Sequence, residues 1–319
     1  MKVIVLNKAF GTKQKDMIRK TAAEVNAEVY FFDSENDIPE NLMDADVVYG
    51  FGVGLAQKSK NLKWLCVPSA GVDFMMRPGA FANENCLFTN SAGAYGVTIA
   101  EHIIAVSLMM MRRLTDFYAG SLEGKWGSPL PQKSLKDCKI TVLGTGDIGC
   151  RFAERAAAFE PKQLVGVCRS GKCECPAFDK VLKVSELDTV LPDSELLVMC
   201  LPSTSETEGI LSKERMALLP DGAYVVNVGR GSAIDEAALK ENLDFGKLAG
   251  AALDVFVNEP LPADSGLWST KNLLITPHVA GNLTVEYTMN RNVEMFCEDL
   301  VNFANGRPLV HLVDRKLGY

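Results

Sequence analysis

The chain has 319 residues, 47% of them hydrophobic and 23% charged, and a formal net charge of −7. That composition suits a soluble globular protein with room for two domains of ordinary size. The negative balance gives no support to nucleic-acid binding, though it leaves room for a local basic pocket that takes an anionic ligand.

The nine cysteines are odd in number and scattered, and Cys66, Cys150, Cys168 and Cys200 fall in or beside apolar runs. Reduced, buried thiols in a cytoplasm fit that pattern better than a disulfide framework. Cys173-x-Cys175 is the only close pair. No second pair of Cys or His completes a zinc site, so no metal is expected and the pair reads as an incidental loop feature.

The N-terminus, MKVIVLNKAFGTKQK, reads as a buried strand over Lys2 to Leu6 followed by polar residues, without the apolar core and cleavage site of a signal peptide. A helix is predicted over Gln14 to Val25, with Met17, Ile18, Ala22 and Val25 on one face. Strands follow at Glu28 to Phe32, Ala45 to Tyr49 and Trp64 to Val67. The last two run into Gly50-Phe51-Gly52-Val53-Gly54 and Pro68-Ser69-Ala70-Gly71-Val72-Asp73. Short apolar strands alternating with helices imply a parallel sheet covered on both faces, with ligands beyond the carboxyl ends of its strands. These two loops are therefore candidates for substrate contact, although ordinary turn chemistry also accounts for their residues.

Ser91 to Gly96 is a glycine-rich hinge. One long helix is predicted from about Val97 to Tyr118, apolar enough for burial in a core or against a second subunit. Its apolar segment, Ile103 to Met111, is too short to span a bilayer. An irregular stretch with Trp126 follows, available to cover a partner subunit.

From Cys138 the chain reads CKITVLGTGDIGCRFAERAAAFEPKQLVGVCRS. The apolar strand Ile140 to Leu143 is followed by Gly144, Gly146 and Gly149 in G-x-G-x-x-G spacing, then a helix over Cys150 to Phe159 and a strand over Leu164 to Val167. Alone the glycine motif is weak; between two strands and ahead of a helix it marks a dinucleotide site, with the pyrophosphate on the helix start. The acidic residue that NAD sites place at the end of the second strand is missing. That place reads Cys168-Arg169-Ser170-Gly171-Lys172. Arg169 can fork onto a 2′-phosphate, assisted by Ser170 and Lys172, which points to NADP, with NAD the lesser expectation. Alternatively Arg169 is a solvated loop charge and Glu174 serves the ribose.

Further strands are predicted at Leu196 to Leu201, Ala223 to Val228, Ala249 to Val255 and Leu273 to Ile275. Their following loops converge on the sheet edge that carries the glycine turn, which makes Leu201, Pro202 and Gly229 candidates for cofactor contact. Arg230, Glu259 and His278 lie on these loops. Of the three histidines, His278 alone directly follows a strand at that edge. A hydride reaction on a carbonyl needs a proton donor, a cation that orients the substrate and a group that fixes the donor. Histidine, with an ordinary pKa of about 6.5, suits the first. The fork of Arg230 matches a carboxylate, and Glu259 on the other ring nitrogen would hold the imidazole. Taken singly, a structural ion pair accounts for Arg230 and a turn carboxylate for Glu259. The tail from Val285 to Phe303 is predicted helical and returns to the first domain.

The motifs PSAGVD (Pro68 to Asp73), AEH (Ala100 to His102), VLGTGDIG (Val142 to Gly149), LPSTSET (Leu201 to Thr207), VNVGRGSAID (Val226 to Asp235), ALDVFVNEP (Ala252 to Pro260) and TPHVAG (Thr276 to Gly281) together resemble the D-isomer-specific 2-hydroxyacid dehydrogenases over nearly the whole chain. The resemblance implies an α/β protein of two flavodoxin- or Rossmann-like, doubly wound parallel-sheet domains with the active site in the cleft between them. The substrate domain would be residues 1–96 plus 286–319, and the dinucleotide-binding domain 97–285. It implies a homodimer built through the long helix and the arm after it. Arg230 would take the substrate carboxylate and carbonyl, His278 would be the acid/base and Glu259 its partner. Backbone N–H groups near Val53, Ala70 and Gly71 would complete carboxylate binding. Asp147 and Ile148 would line the pyrophosphate, Val228, Asp254, Ala280 and Gly281 the nicotinamide side, and Thr98 and Thr207 are further cofactor candidates. The expected reaction reduces a small 2-oxo acid to a D-2-hydroxy acid with hydride from NADPH. Arg169, where NAD-dependent members carry Asp, brings the chain toward the glyoxylate and hydroxypyruvate reductases. The alternatives are a phosphoglycerate dehydrogenase-like enzyme and a dinucleotide-sensing corepressor built on the same fold.

Overall fold

The computed structural model describes residues 1–318. The chain falls into two compact units, residues 1–95 joined by the stretch from Asn282 onward, and residues 96–281. In the first unit β1 (Lys2–Leu6), α1 (Thr12–Glu24), β2 (Glu28–Phe32), β3 (Val47–Gly50), α2 (Val53–Lys58), β4 (Trp64–Cys66) and β5 (Leu87–Thr89) form a parallel sheet of order β2-β1-β3-β4-β5. This is the flavodoxin-like winding. Alternate β1 side chains go to opposite faces. Val3 and Val5 pack with Ile18, Tyr49 and Trp64 on one side, and Ile4 and Leu6 with Val48, Leu55, Leu65 and Phe88 on the other.

The second unit runs α3 (Gly96–Met111), α4 (Leu114–Leu122), β6 (Lys139–Leu143), α5 (Asp147–Ala156), β7 (Gln163–Cys168), β8 (Lys180–Lys183), α6 (Leu187–Val190), β9 (Leu196–Met199), α7 (Lys213–Leu218), β10 (Ala223–Asn227), α8 (Glu236–Asp244), β11 (Leu248–Leu253) and β12 (Leu273–Ile275). Its seven parallel strands lie in the order β12-β11-β10-β9-β6-β7-β8. The winding reverses between β6 and β9, and doubly wound sheets bind their ligands beyond the carboxyl ends of the strands at such a point. The glycine turn sits there, at the end of β6. Covered on both faces, the central strands are mostly apolar, and all four residues of β9, Leu-Leu-Val-Met, are buried. The closing helix, α9 (Glu286–Ala304), returns to the first unit, where Phe296 stacks on Tyr49 at 4.2 Å between ring centroids and on Trp64 at 5.4 Å.

The single helix expected over Val97 to Tyr118 is two helices. Arg113, between α3 and α4, takes the left-handed conformation at φ +55°. Its guanidinium forks onto Asp116 in the first turn of α4, at 2.7 and 2.9 Å, and that pairing holds the junction. The helix expected to begin at Cys150 starts instead at Asp147, inside the glycine motif. No helix of the described residues is long and apolar enough to cross a membrane.

Candidate active site

At the end of β6, Gly144 turns at φ +96° and Gly146 is the extended residue that starts α5, with no side chain capping the helix. A Cβ on Gly149 would lie 2.0 Å from the Gly144 carbonyl oxygen, so the helix rests directly on the turn, whereas the space around Gly146 is open. An uncapped helix start with open space before it fits a pyrophosphate. Asp147 and the half-buried Ile148 form the first turn. One Asp147 carboxylate oxygen is buried without a partner and the other lies 3.6 Å from Arg151 Nε.

Arg169 and Ser170 follow β7 and are exposed. The Ser170 hydroxyl accepts from Lys172 N at 3.2 Å and Gly171 turns at φ +67°, so a tight turn presents Arg169, Ser170 and Lys172 together. Two cationic side chains and a hydroxyl at the end of this strand fit a 2′-phosphate.

Past β9, Thr207 Oγ donates to the Pro202 carbonyl at 2.7 Å and accepts from Thr204 N at 2.9 Å, closing the loop on itself. Leu201 and Val228 are buried, each 7% exposed, and Thr98 is buried in α3, so Leu201 and Val228 offer a ligand mainly their main chain. After β10, the Asn227 side chain accepts from Gly229 N at 3.0 Å and donates to the Arg230 carbonyl at 2.8 Å. Arg230 itself donates to the Gly229 carbonyl at 2.8 Å. A Cβ on Gly231 would fall 1.9 Å from the Phe256 carbonyl carbon. Only glycine lets the Arg230 loop lie directly against the backbone of the segment that carries Glu259.

His278 and Glu259 meet. His278 Nδ1 is 2.7 Å from Glu259 Oε2, and Glu259 Oε1 accepts from Phe256 N at 2.9 Å, so both carboxylate oxygens are fixed. The pairing at Nδ1 turns Nε2 outward on a half-exposed ring. His278 adopts φ +54°, a left-handed conformation that costs a non-glycine residue about 1–2 kcal/mol. Asp254 holds it there. Buried at the end of β11, Asp254 accepts from Thr276 Oγ at 2.6 Å and from the N–H groups of Val279 and Ala280 at 2.9 Å each, while its carbonyl takes His278 N at 2.8 Å. Ala280 is buried and Gly281 half-buried just beyond.

His102 on α3 lies behind this loop, its Nε2 3.5 Å from Thr276 Oγ. Burial lowers the His102 pKa, against the pull of Asp254. The unfolded chain, where histidine titrates near 6.5, therefore binds this proton first as pH falls. His102 contributes stability that is present above about pH 6.5 and lost as pH falls through its lower folded-state value. Denaturant midpoints across that window should drop with pH, and the drop should be shallower in His102→Gln. An equal slope in the variant contradicts the assignment.

In the first unit, Val53 opens α2, but Glu35 accepts from Gly54 N at 3.1 Å and Leu55 N at 2.9 Å. The two N–H groups after Val53 are thus engaged by a carboxylate of the same unit. In the loop after β4, Asn90 Nδ2 donates to the Ala70 carbonyl at 2.8 Å and Ser69 Oγ to the Gly71 carbonyl at 2.8 Å. Because a trans peptide points N–H opposite C=O, anchoring the Ala70 carbonyl on Asn90 aims the Gly71 N–H the other way.

Residues 104–280 match the family model described as D-isomer specific 2-hydroxyacid dehydrogenase, NAD binding domain. A glyoxylate/hydroxypyruvate reductase A from Salmonella paratyphi C is 32% identical over 265 residues, covering 82% of this chain and 83% of the relative. The chain belongs to the D-isomer specific 2-hydroxyacid dehydrogenase family. A solved member from Aeromonas salmonicida superposes with a TM-score of 0.87 at 30% identity, over 98% of this chain and 99% of the other. An NADPH-dependent glyoxylate/hydroxypyruvate reductase from Sinorhizobium meliloti, solved with NADP and sulfate, superposes with a TM-score of 0.82 at 26% identity, over 100% and 99%. The chain is thus an NAD(P)-dependent oxidoreductase acting on a CH–OH group.

Sequence reasoning passed over several residues that set the loops within each unit of this dehydrogenase. Asn227 sets the Arg230 loop, Thr276 and His102 back the His278 loop, and Glu35 occupies the start of α2. Each acts through a hydrogen bond with no spacing signature, although Asn227, Thr276 and His102 lie inside the quoted motifs.

Proposed function

We propose that this dehydrogenase reduces a small 2-oxo acid, of the glyoxylate or hydroxypyruvate class, to the D-2-hydroxy acid with NADPH. The observation that carries the reading is the His278–Glu259 pair at 2.7 Å, on a loop locked by Asp254 at the carboxyl edge of the sheet. When bound, the reduced nicotinamide supplies the hydride. Gly144, Gly146, Asp147, Ile148 and Gly149 hold the pyrophosphate, and Arg169 and Ser170 the 2′-phosphate. Thr98, Leu201, Pro202, Thr207, Val228, Gly229, Asp254, Ala280 and Gly281 line the rest of the cofactor. Arg230 orients the substrate through its carboxylate, with the backbone at Val53, Ala70 and Gly71 contributing N–H groups. His278 delivers a proton from Nε2 to the carbonyl oxygen while Glu259 fixes the ring and balances its charge. Residues 1–96 with 286–319 serve the substrate, and 97–285 the dinucleotide. The names and ligands of the Salmonella and Sinorhizobium relatives support this choice of substrate and cofactor.

Initial rates with NADPH and with NADH against glyoxylate, hydroxypyruvate, pyruvate, phenylpyruvate and phosphohydroxypyruvate test the reading. NADPH preference with glyoxylate or hydroxypyruvate leading is expected. A lead by phosphohydroxypyruvate favours the phosphoglycerate dehydrogenase-like alternative, and tight dinucleotide binding without turnover favours the sensor. Arg169→Asp should shift the NADPH:NADH ratio of kcat/KM toward NADH by about 10- to 100-fold, the worth of one or two charge-assisted hydrogen bonds. An unchanged ratio removes Arg169 from the 2′-phosphate site.

A homodimer belongs to the same reading. On α4, Leu114, Tyr118 and Leu122 recur at four-residue spacing and are 48%, 66% and 71% exposed, with Trp126 beyond them fully exposed. Such an apolar stripe is an association surface. Sedimentation velocity at micromolar concentration should give the mass of two chains, and Tyr118→Lys with Leu122→Lys should give one. A wild-type monomer refutes the dimer.

A further inference from the structure

Four half-buried thiols gather around the glycine turn, although the sequence spreads them from Cys150 on α5 to Cys168, Cys173 and Cys175 after β7. The Cys150 and Cys173 sulfurs are 3.5 Å apart. Both thiols point at one acceptor, the carbonyl of Thr145 inside the turn, at 3.2 and 3.6 Å. The Cys175 N–H donates to Cys173 Sγ at 3.4 Å and fixes that sulfur toward Cys150. Among the described residues no grouping of three or more His, Cys, Asp or Glu side chains suits a metal ion. What the fold has brought together is a vicinal dithiol.

We propose that Cys150 and Cys173 form an oxidation site, converted by peroxide to a disulfide that weakens NADPH binding. The link to NADPH rests on the 2′-phosphate reading of Arg169; the disulfide does not. An S–S bond is about 2.05 Å long, so the sulfurs close by about 1.5 Å. Cys173 can move because it stands in the irregular segment between β7 and β8, while Cys150 is fixed within α5.

Cys173 makes the first attack, because it stands on the irregular segment and its sulfur accepts the Cys175 N–H, whereas Cys150 is held within α5, where burial and the neighbouring thiols push its pKa up. The Cys173 sulfur takes one oxygen from hydrogen peroxide, becoming a sulfenic acid, and one water is released. The Cys150 sulfur then attacks the sulfenic sulfur, loses its proton and expels the oxygen as a second water. Two thiols are oxidised by two electrons, and one peroxide is reduced to two waters.

The coupling to cofactor is physical. Oxidation removes both S–H donors from the Thr145 carbonyl, and it draws Cys173 toward α5. The Arg169–Lys172 turn is continuous with Cys173, and the Cys168 thiol donates to the Lys172 carbonyl at 3.5 Å. Displacing that turn moves the groups offered to the 2′-phosphate.

The test treats the purified full chain with equimolar hydrogen peroxide, then measures intact mass, a non-reducing peptide map and NADPH affinity by fluorescence titration. Expected are the loss of two hydrogens, a Cys150–Cys173 cross-linked peptide and about tenfold weaker NADPH binding, reversed by dithiothreitol. Cys173→Ser should block all three changes and bind NADPH normally without peroxide; Cys175→Ser should still form the bond. No cross-link, a different pairing, or a cross-link with unchanged NADPH affinity overturns the proposal. The reduced Arg169→Asp variant separates the two failures: an unchanged cofactor ratio there removes the 2′-phosphate reading alone, whereas the peptide map judges the disulfide.

Discussion

His278→Ala should lower kcat by about 10²- to 10⁴-fold, the range that a positioned proton donor contributes, while NADPH affinity stays at the wild-type level. The ring is held at one nitrogen by Glu259 at 2.7 Å and is half-exposed, so its removal leaves no packing void and no buried polar group behind. The effect therefore belongs to chemistry rather than to folding. Glu259→Gln is the matched control. It keeps an acceptor for Nδ1–H but not the charge that accompanies a protonated ring, so its kcat should fall less than that of His278→Ala. Steady-state kinetics with a fluorescence titration of NADPH make the measurement. Wild-type turnover in His278→Ala removes this residue from the mechanism.

Asp254→Ala should be the most damaging single change to the loop behind the site. It strands a hydroxyl and two backbone N–H donors at once, each at 2.9 Å or less from the carboxylate in the wild type. An unmet buried donor costs about 1–3 kcal/mol. With partial relaxation and entry of water, a total of about 3–5 kcal/mol is expected, or roughly 10 °C in Tm for a unit of this size. His278 would also lose what keeps it at φ +54°, and a misplacement of about 1 Å at a reacting group costs about 10²-fold in rate. Calorimetry and kcat should therefore fall together, more in Asp254→Ala than in Asp254→Asn. An unchanged Tm with low kcat would show instead that Asp254 acts on ligand alone.

The doubly wound architecture was legible because strands covered on both faces must be apolar and the glycine turn must follow one of them. The edge strand β8, Lys180-Val181-Leu182-Lys183, escaped notice because its ends are lysines exposed to water. Periodicity carried the long helix past Arg113, since apolar residues continue at helical spacing while the break is made by one left-handed residue and its fork onto Asp116. At the site, residue type and position at the strand ends identified His278, Glu259 and Arg230 as candidates. The residues that aim them were not legible. Asp254, read as a contact for nicotinamide, also anchors the His278 loop, a role that depends on three donors converging from a segment some 20 residues later. The cysteines show the same limit. Cys150 and Cys173 meet only because β7 lies parallel beside β6 and sends its following loop back over α5.

The threading of the chain also has a consequence during synthesis. Tyr49 and Trp64 leave the ribosome early, yet the helix whose Phe296 stacks on both comes after the whole second unit. At the usual pace of about 5–20 residues per second, the intervening stretch of roughly 190 residues takes about 10–40 s to be made. During that interval α1 alone covers this side of the sheet, and the nascent first unit shows water the aromatic surface of Tyr49 and Trp64 that α9 later takes. The second unit, contiguous in sequence, can close its own core meanwhile. The N-terminal third of the protein is therefore the part that a cell's chaperones would meet, and truncation before α9 would leave that surface exposed for good.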